Sequence, residues 1–178
     1  MVSTTLRRWH ELPADHRRWI VINALLITAV VNLAINGFLA WMSVRGHTNV
    51  PIWGLPGPGK TNVVTDTVGT FFFLPLFTCV MCTTSVWAQV RSGRLPRLEA
   101  AIPRQLARRG RVRRGAVLGA STAAILAPLF IVIIAAAGLA SVSATGFVLY
   151  KMALGVLLGL VVTPLIAIMA MADGAPAM

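Results

Sequence analysis

Residues Phe147 to Ala172 read FVLYKMALGVLLGLVVTPLIAIMAMA, a run of 26 positions whose one charge is Lys151. About 20 helical residues at 1.5 Å each cross a 30 Å hydrocarbon slab, so this run is long enough to span a bilayer with some tilt. Three further runs share its character: Trp19 to Val44, Val64 to Val90 and Gly115 to Ser141. Over all 178 residues, 57% belong to the apolar set and 12% are charged. The mean hydropathy is +0.78. A soluble domain is about 45–50% apolar with glycine counted, so a water-soluble enzyme is excluded. The first run is much longer than the roughly 7–15 apolar residues of a signal peptide core, and it is read as a retained helix.

The expected fold class is therefore an all-α integral membrane protein, an antiparallel four-helix transmembrane bundle with both termini cytoplasmic. One transmembrane domain covers 19–172, with spans 19–44, 64–90, 115–141 and 147–172. A basic segment, 1–18, precedes it and a short tail, 173–178, follows. The orientation comes from the arginines, because basic residues flanking short loops stay on the cytoplasmic side. Arg7, Arg8, Arg17 and Arg18 stand before the first span. Arg91, Arg94, Arg97, Arg104, Arg108, Arg109, Arg111, Arg113 and Arg114 lie in the connection 91–114. The two opposite connections carry Arg45 and Lys60 between them. The expected location is the cell (cytoplasmic) membrane, in a multi-pass arrangement.

A net charge of +11 would suggest nucleic acid in a soluble chain, but here topology accounts for it and nucleic acid is not an expected partner. In the connection 91–114, Leu98, Ile102 and Leu106 recur every four residues among the arginines. That pattern predicts a basic helix lying on the membrane surface. Arg104, Arg108, Arg109, Arg111, Arg113 and Arg114 are its candidate contacts to anionic lipid, each contributing on the order of 1 kcal/mol near an acidic leaflet.

Two short motifs invite chemistry. Gly54-Leu55-Pro56-Gly57-Pro58-Gly59-Lys60-Thr61 matches the phosphate-binding expression G-x-x-x-x-G-K-[ST]. Two prolines take away N–H groups that such a loop must offer, so a stiff turn between helices is the preferred reading. Cys79 and Cys82 form a C-x-x-C pair. The chain's size and four spans are similar to the quinone-linked disulfide-generating membrane oxidoreductases, which use additional cysteines near the outer face. With two cysteines deep in one span, small packing residues are preferred. No cofactor and no metal are expected.

The polar residues inside the spans carry more information, since an ionisable group in a membrane is a functional candidate by default. Asp66 and Lys151 are the two charged residues within the spans, and both enter from the outer side at shallow depth, close enough in level to pair. Thr28, Asn32 and Asn36 recur at intervals of four on one helix face, with Asn23 expected on the opposite face. Gly155 and Gly159 follow Lys151 on its own side and would admit a neighbouring helix closely. Thr70 lies one turn from Asp66. Asn32, Asn36, Asp66, Thr70 and Lys151 are therefore the candidate substrate-binding residues, lining a small polar cavity near the outer face. Against this stands a purely structural role in helix packing. Pro75, Pro128 and Pro164 fall inside spans, as in many transporters and many ordinary membrane helices.

The functional expectation is a small permease-like protein or transport subunit, acting as a homo-oligomer or with another membrane subunit. The alternatives are a structural or accessory subunit, or a membrane-embedded enzyme acting on a lipophilic substrate. One carboxylate and no histidine within the spans leave general acid–base chemistry few candidates, so an enzyme is the less favoured reading.

Overall fold

Four helices are long and apolar enough to cross a membrane: α1 (Ala14–Val44), α2 (Val63–Arg91), α3 (Arg111–Ala137) and α4 (Ala144–Asp173). The computed structural model describes residues 12–55, 60–98 and 110–173. Contacts at the two ends show that the helices alternate in direction. At one end the connections after α1 and after α3 pair as a two-stranded antiparallel ribbon, β1 (Asn49–Pro51) with β2 (Ser141–Ser143), Val50 opposite Val142. At the other end the start of α1 meets the residues after α2: His16 Nε2 lies 2.8 Å from Pro96 O. There also Leu98 N donates to Met171 O of α4 at 3.2 Å.

The ribbon adds paired strands to the two connections at its end. α3 stops at Ala137 because Gly138 adopts φ 64°, the left-handed conformation that glycine tolerates and that ends helices. Leu139 to Ser141 therefore leave the helix, and Ser141 joins β2. Ile52 N bonds to Ala140 O at 2.9 Å and Ala144 N to Thr48 O at 2.9 Å, which ties both connections down. Val50 and Ile52 sit beneath, packed with Ala40, Val44, Val63 and Phe147. α2 opens with Asn62 as its cap, its side chain accepting from Thr65 N at 2.8 Å.

The helices pack in the order α1, α4, α2, α3. α2, α3 and α4 share one core, built on Phe71, Leu74, Cys79, Ala127, Leu158 and Ile166. The α2–α3 contact is close because Gly115 and Gly119 of α3 lie directly on the backbone of α2: a Cβ at Gly115 would stand 2.8 Å from Leu76 O, and one at Gly119 would stand 3.2 Å from Phe72 C. α1 instead leans on α4, so the bundle is open along the side between α1 and α2.

α1 does meet α2 at one end and the residues leading into α2 at the other. Trp19 Nε1 donates to Gln89 Oε1 at 2.6 Å, and Thr61 Oγ1 to Ser43 O at 3.4 Å. Trp19 and Ile20 join Val86, Leu95, Leu98 and Met171 in a second core at the Arg114 end. Leu98 is thus buried in the protein. This corrects its assignment to a lipid-facing helix; Ile102 and Leu106 lie outside the described residues.

Within α1, residues Ile20–Ile27 are wound as a π-helix, a rare geometry that turns the chain less per residue than α-winding. Pro75, Pro128 and Pro164 lie inside α2, α3 and α4, each of which continues through its proline.

Candidate functional site

Where α1 and α2 part, a groove of about 750 Å³ runs between them, with Lys151 of α4 also in its lining. The sequence-derived candidates Asn32, Asn36, Asp66, Thr70 and Lys151 all line it. Three helices contribute: Asn32 and Asn36 from α1, Asp66 and Thr70 from α2, and Lys151 from α4. The groove reaches from the level of Asp66 down to Ser85 and Trp19. It is therefore longer than the small cavity near one end that spacing alone suggested.

The packing of α1 on α4 explains how the asparagines reach this place. A Cβ at Gly155 would stand 2.7 Å from Asn36 Cγ, and one at Gly159 would stand 3.4 Å from Asn32 Cγ. Two amide side chains of α1 thus occupy the space that two glycines of α4 leave. Asn36 Nδ2 donates to Asn32 O, one turn back, at 2.9 Å. Asn32 is buried, and its Nδ2 has no hydrogen-bond partner among the described residues.

Asn23 also lines the groove, contrary to the opposite face expected for it. The π-winding is the cause, because it delays the rotation between Asn23 and Asn32 and brings Asn23 round. Thr28 Oγ1 donates to Asn23 O, five residues back rather than four, at 3.3 Å.

The charged pair closes as the spacing allowed. Lys151 Nζ forms an ion pair with Asp66 Oδ2 and donates to Thr70 Oγ1; Thr70 in turn donates to Asp66 O at 2.8 Å. The two charges are unequally covered, for the lysine side chain is 5% exposed and the aspartate 30%. Both residues border the groove, and the carboxylate is the more exposed of the two. Next to Lys151, Tyr150 bonds through its hydroxyl to Thr67 Oγ1 at 2.8 Å and stacks on Phe130 of α3. Consecutive residues of α4 thereby bind α2 twice.

The walls are apolar. Ile27, Val31, Ile35 and Leu39 repeat every fourth residue along α1, facing Phe73, Phe77 and Met81 of α2. All seven are exposed in the isolated chain.

At the Arg114 end the structure alters one assignment. Arg114 is 1% exposed and forms an ion pair with Asp173, tying the start of α3 to the end of α4. It is not available to a lipid headgroup, because both its burial and its carboxylate partner hold it inside. Arg111 and Arg113 are exposed, the former donating from Nη1 to Thr84 Oγ1 at 2.9 Å. Arg104, Arg108 and Arg109 lie outside the described residues.

Neither motif gains a site. Residues 56–59 of the phosphate-loop match lie outside the described residues; Gly54 O accepts from Asn62 Nδ2 at 3.2 Å, and Asn62 already caps α2, where a phosphate would bind. Cys79 and Cys82 are both free thiols. Cys79 is buried, with its Sγ 3.6 Å from Arg111 O, and Cys82 borders the groove. Among the described residues no group of three histidine, cysteine or acidic side chains is placed to hold a metal ion. Comparison with protein-family models, with curated proteins and with solved structures finds no match for this chain.

Proposed function

We propose that this chain is a small permease-like protein or transport subunit of the cell membrane, which takes a solute into the α1–α2 groove at the level of Asn36, Asp66 and Lys151. In this reading the ribbon end faces outward and the Arg114 end faces the cytoplasm, where the exposed arginines meet anionic lipid. The protein acts as a homo-oligomer or beside another membrane subunit, since a groove open on one side does not enclose a pathway. The observation that carries the reading is the groove itself: it gathers polar side chains of three helices along a space large enough for a small molecule.

The closed Asp66–Lys151 pair favours a second reading, a structural subunit whose polar groups hold helices together. Gly69 separates the two. It borders the groove, and a Cβ there would meet nothing within 4 Å, so Gly69→Leu fills the groove while sparing the packing. Reconstituted wild-type protein and Gly69→Leu are screened by thermal shift against small solutes and amphiphiles, and hits are tested for flux into proteoliposomes. The transport reading expects a compound that stabilises the wild type alone and crosses with it. If no compound distinguishes the two proteins, the structural reading replaces it.

A further inference from the structure

Resting on the groove as a binding site, we infer the class of molecule it takes: a single-chain amphiphile with an uncharged, hydroxyl-bearing head placed at Asp66. The first argument is shape. Between Asp66 and Ser85 the groove is about 28 Å long at 1.5 Å per residue, and most of its lining is apolar. This elongated shape with apolar walls suits one hydrocarbon chain lying along it.

The second argument is the identity of the head. Lipid tails are as apolar as the groove walls, so burying a chain there gains little over leaving it in the bilayer. Selectivity must come from polar contact. Asp66 Oδ2 faces Lys151 Nζ. Among the described residues Oδ1 makes no hydrogen bond, and the carboxylate is the more exposed member of the pair. Oδ1 is thus the carboxylate oxygen left to accept a bond, on a residue that lines the groove, while Oδ2 is buried. A carboxylate or phosphate head would meet the negative charge of Asp66. A quaternary ammonium would have no proton to donate and would stand a few ångströms from the lysine's own charge in a low dielectric. A hydroxyl donates to Oδ1 without disturbing the pair, and hydrogen bonds to charged groups are the stronger kind.

The test uses the full chain in nanodiscs and three photoreactive probes of equal chain length carrying a diazirine: a primary alcohol, a trimethylammonium and a carboxylate. Labelled residues are located by peptide mass spectrometry. The alcohol probe is expected to label the facing walls near Leu39 and Phe73 about tenfold more than the other two, the ratio of a hydrogen bond to a charged acceptor. Gly69→Leu should abolish that labelling, and Asp66→Ala with Lys151→Met should remove the preference while the chain still binds. Equal labelling by all three probes, all blocked by Gly69→Leu, would leave the groove a binding site and overturn the hydroxyl class. Labelling indifferent to Gly69→Leu would overturn both. A stable dimer of the wild type that Gly69→Leu converts to monomer would show that a second copy occupies the groove, against the inference.

Discussion

Placing alanine at four of the helix-packing glycines tests the helix order directly. At Gly115 the new Cβ would stand 2.8 Å from Leu76 O, about 0.6 Å inside ordinary contact. A backbone oxygen cannot rotate away, so α2 and α3 must separate by about that distance. A gap of 0.5–1 Å forfeits about a quarter to a half of each dispersion well along the contact, and overpacking of this kind costs about 1–3 kcal/mol. Gly119→Ala should cost at least as much, because Phe72 C lies 3.2 Å away and the carbonyl oxygen closer still. Gly155→Ala should cost somewhat less, since Asn36 can shift although its Cβ is 3.1 Å away. Gly37→Ala meets Met152 Cγ at 2.9 Å, and an unbranched methionine yields most easily. Gly69→Ala meets nothing and should be neutral or stabilising by up to about 1 kcal/mol, through lower backbone entropy in the unfolded chain. The assay is unfolding in mixed micelles by dodecyl sulphate titration, followed by tryptophan fluorescence. If Gly115→Ala and Gly119→Ala behave like Gly69→Ala, the close α2–α3 contact does not exist.

Asp66→Asn leaves the buried ammonium of Lys151 without its counter-charge and should destabilise more than Lys151→Met, which leaves the partly exposed carboxylate; the same titration should show a coupling of about 0.5–3 kcal/mol in the double variant. Arg114→Ala strands Asp173 at the end of α4 and should cost about 3–5 kcal/mol, whereas Arg113→Ala, at an exposed position, should fall within about 0.5 kcal/mol of wild type. Single cysteines at Lys60 and Arg113, in a background without Cys79 and Cys82, should react with an impermeant maleimide from opposite sides of right-side-out vesicles. Reaction of position 113 from outside would invert the proposed orientation.

The four helices long and apolar enough to cross a membrane were legible in the sequence because hydropathy is a local property, read from each run of about 26 mostly apolar residues whatever its neighbours do. The facing of Asn32, Asn36, Gly155 and Gly159 was legible for a related reason, since α-helical periodicity places residues four apart on one face. Periodicity failed at Asn23, where π-winding changes the angle per residue, and at Leu139 to Ser141, where Gly138 ends the helix inside an apolar run. Arg114 shows a different limit. Its membership in an arginine-rich stretch pointed to lipid, yet burial depends on Asp173, 59 residues away in the chain. What the sequence by itself determined is the helices and their faces: which segments are long and apolar enough to cross a membrane and which side chains share a helix side. The order α1, α4, α2, α3, the closure of Lys151 onto Asp66 and the groove between α1 and α2 were decided by tertiary structure alone. Such features depend on which helix meets which, and that choice is made by close steric fit, glycine against asparagine and glycine against backbone, between residues remote along the chain.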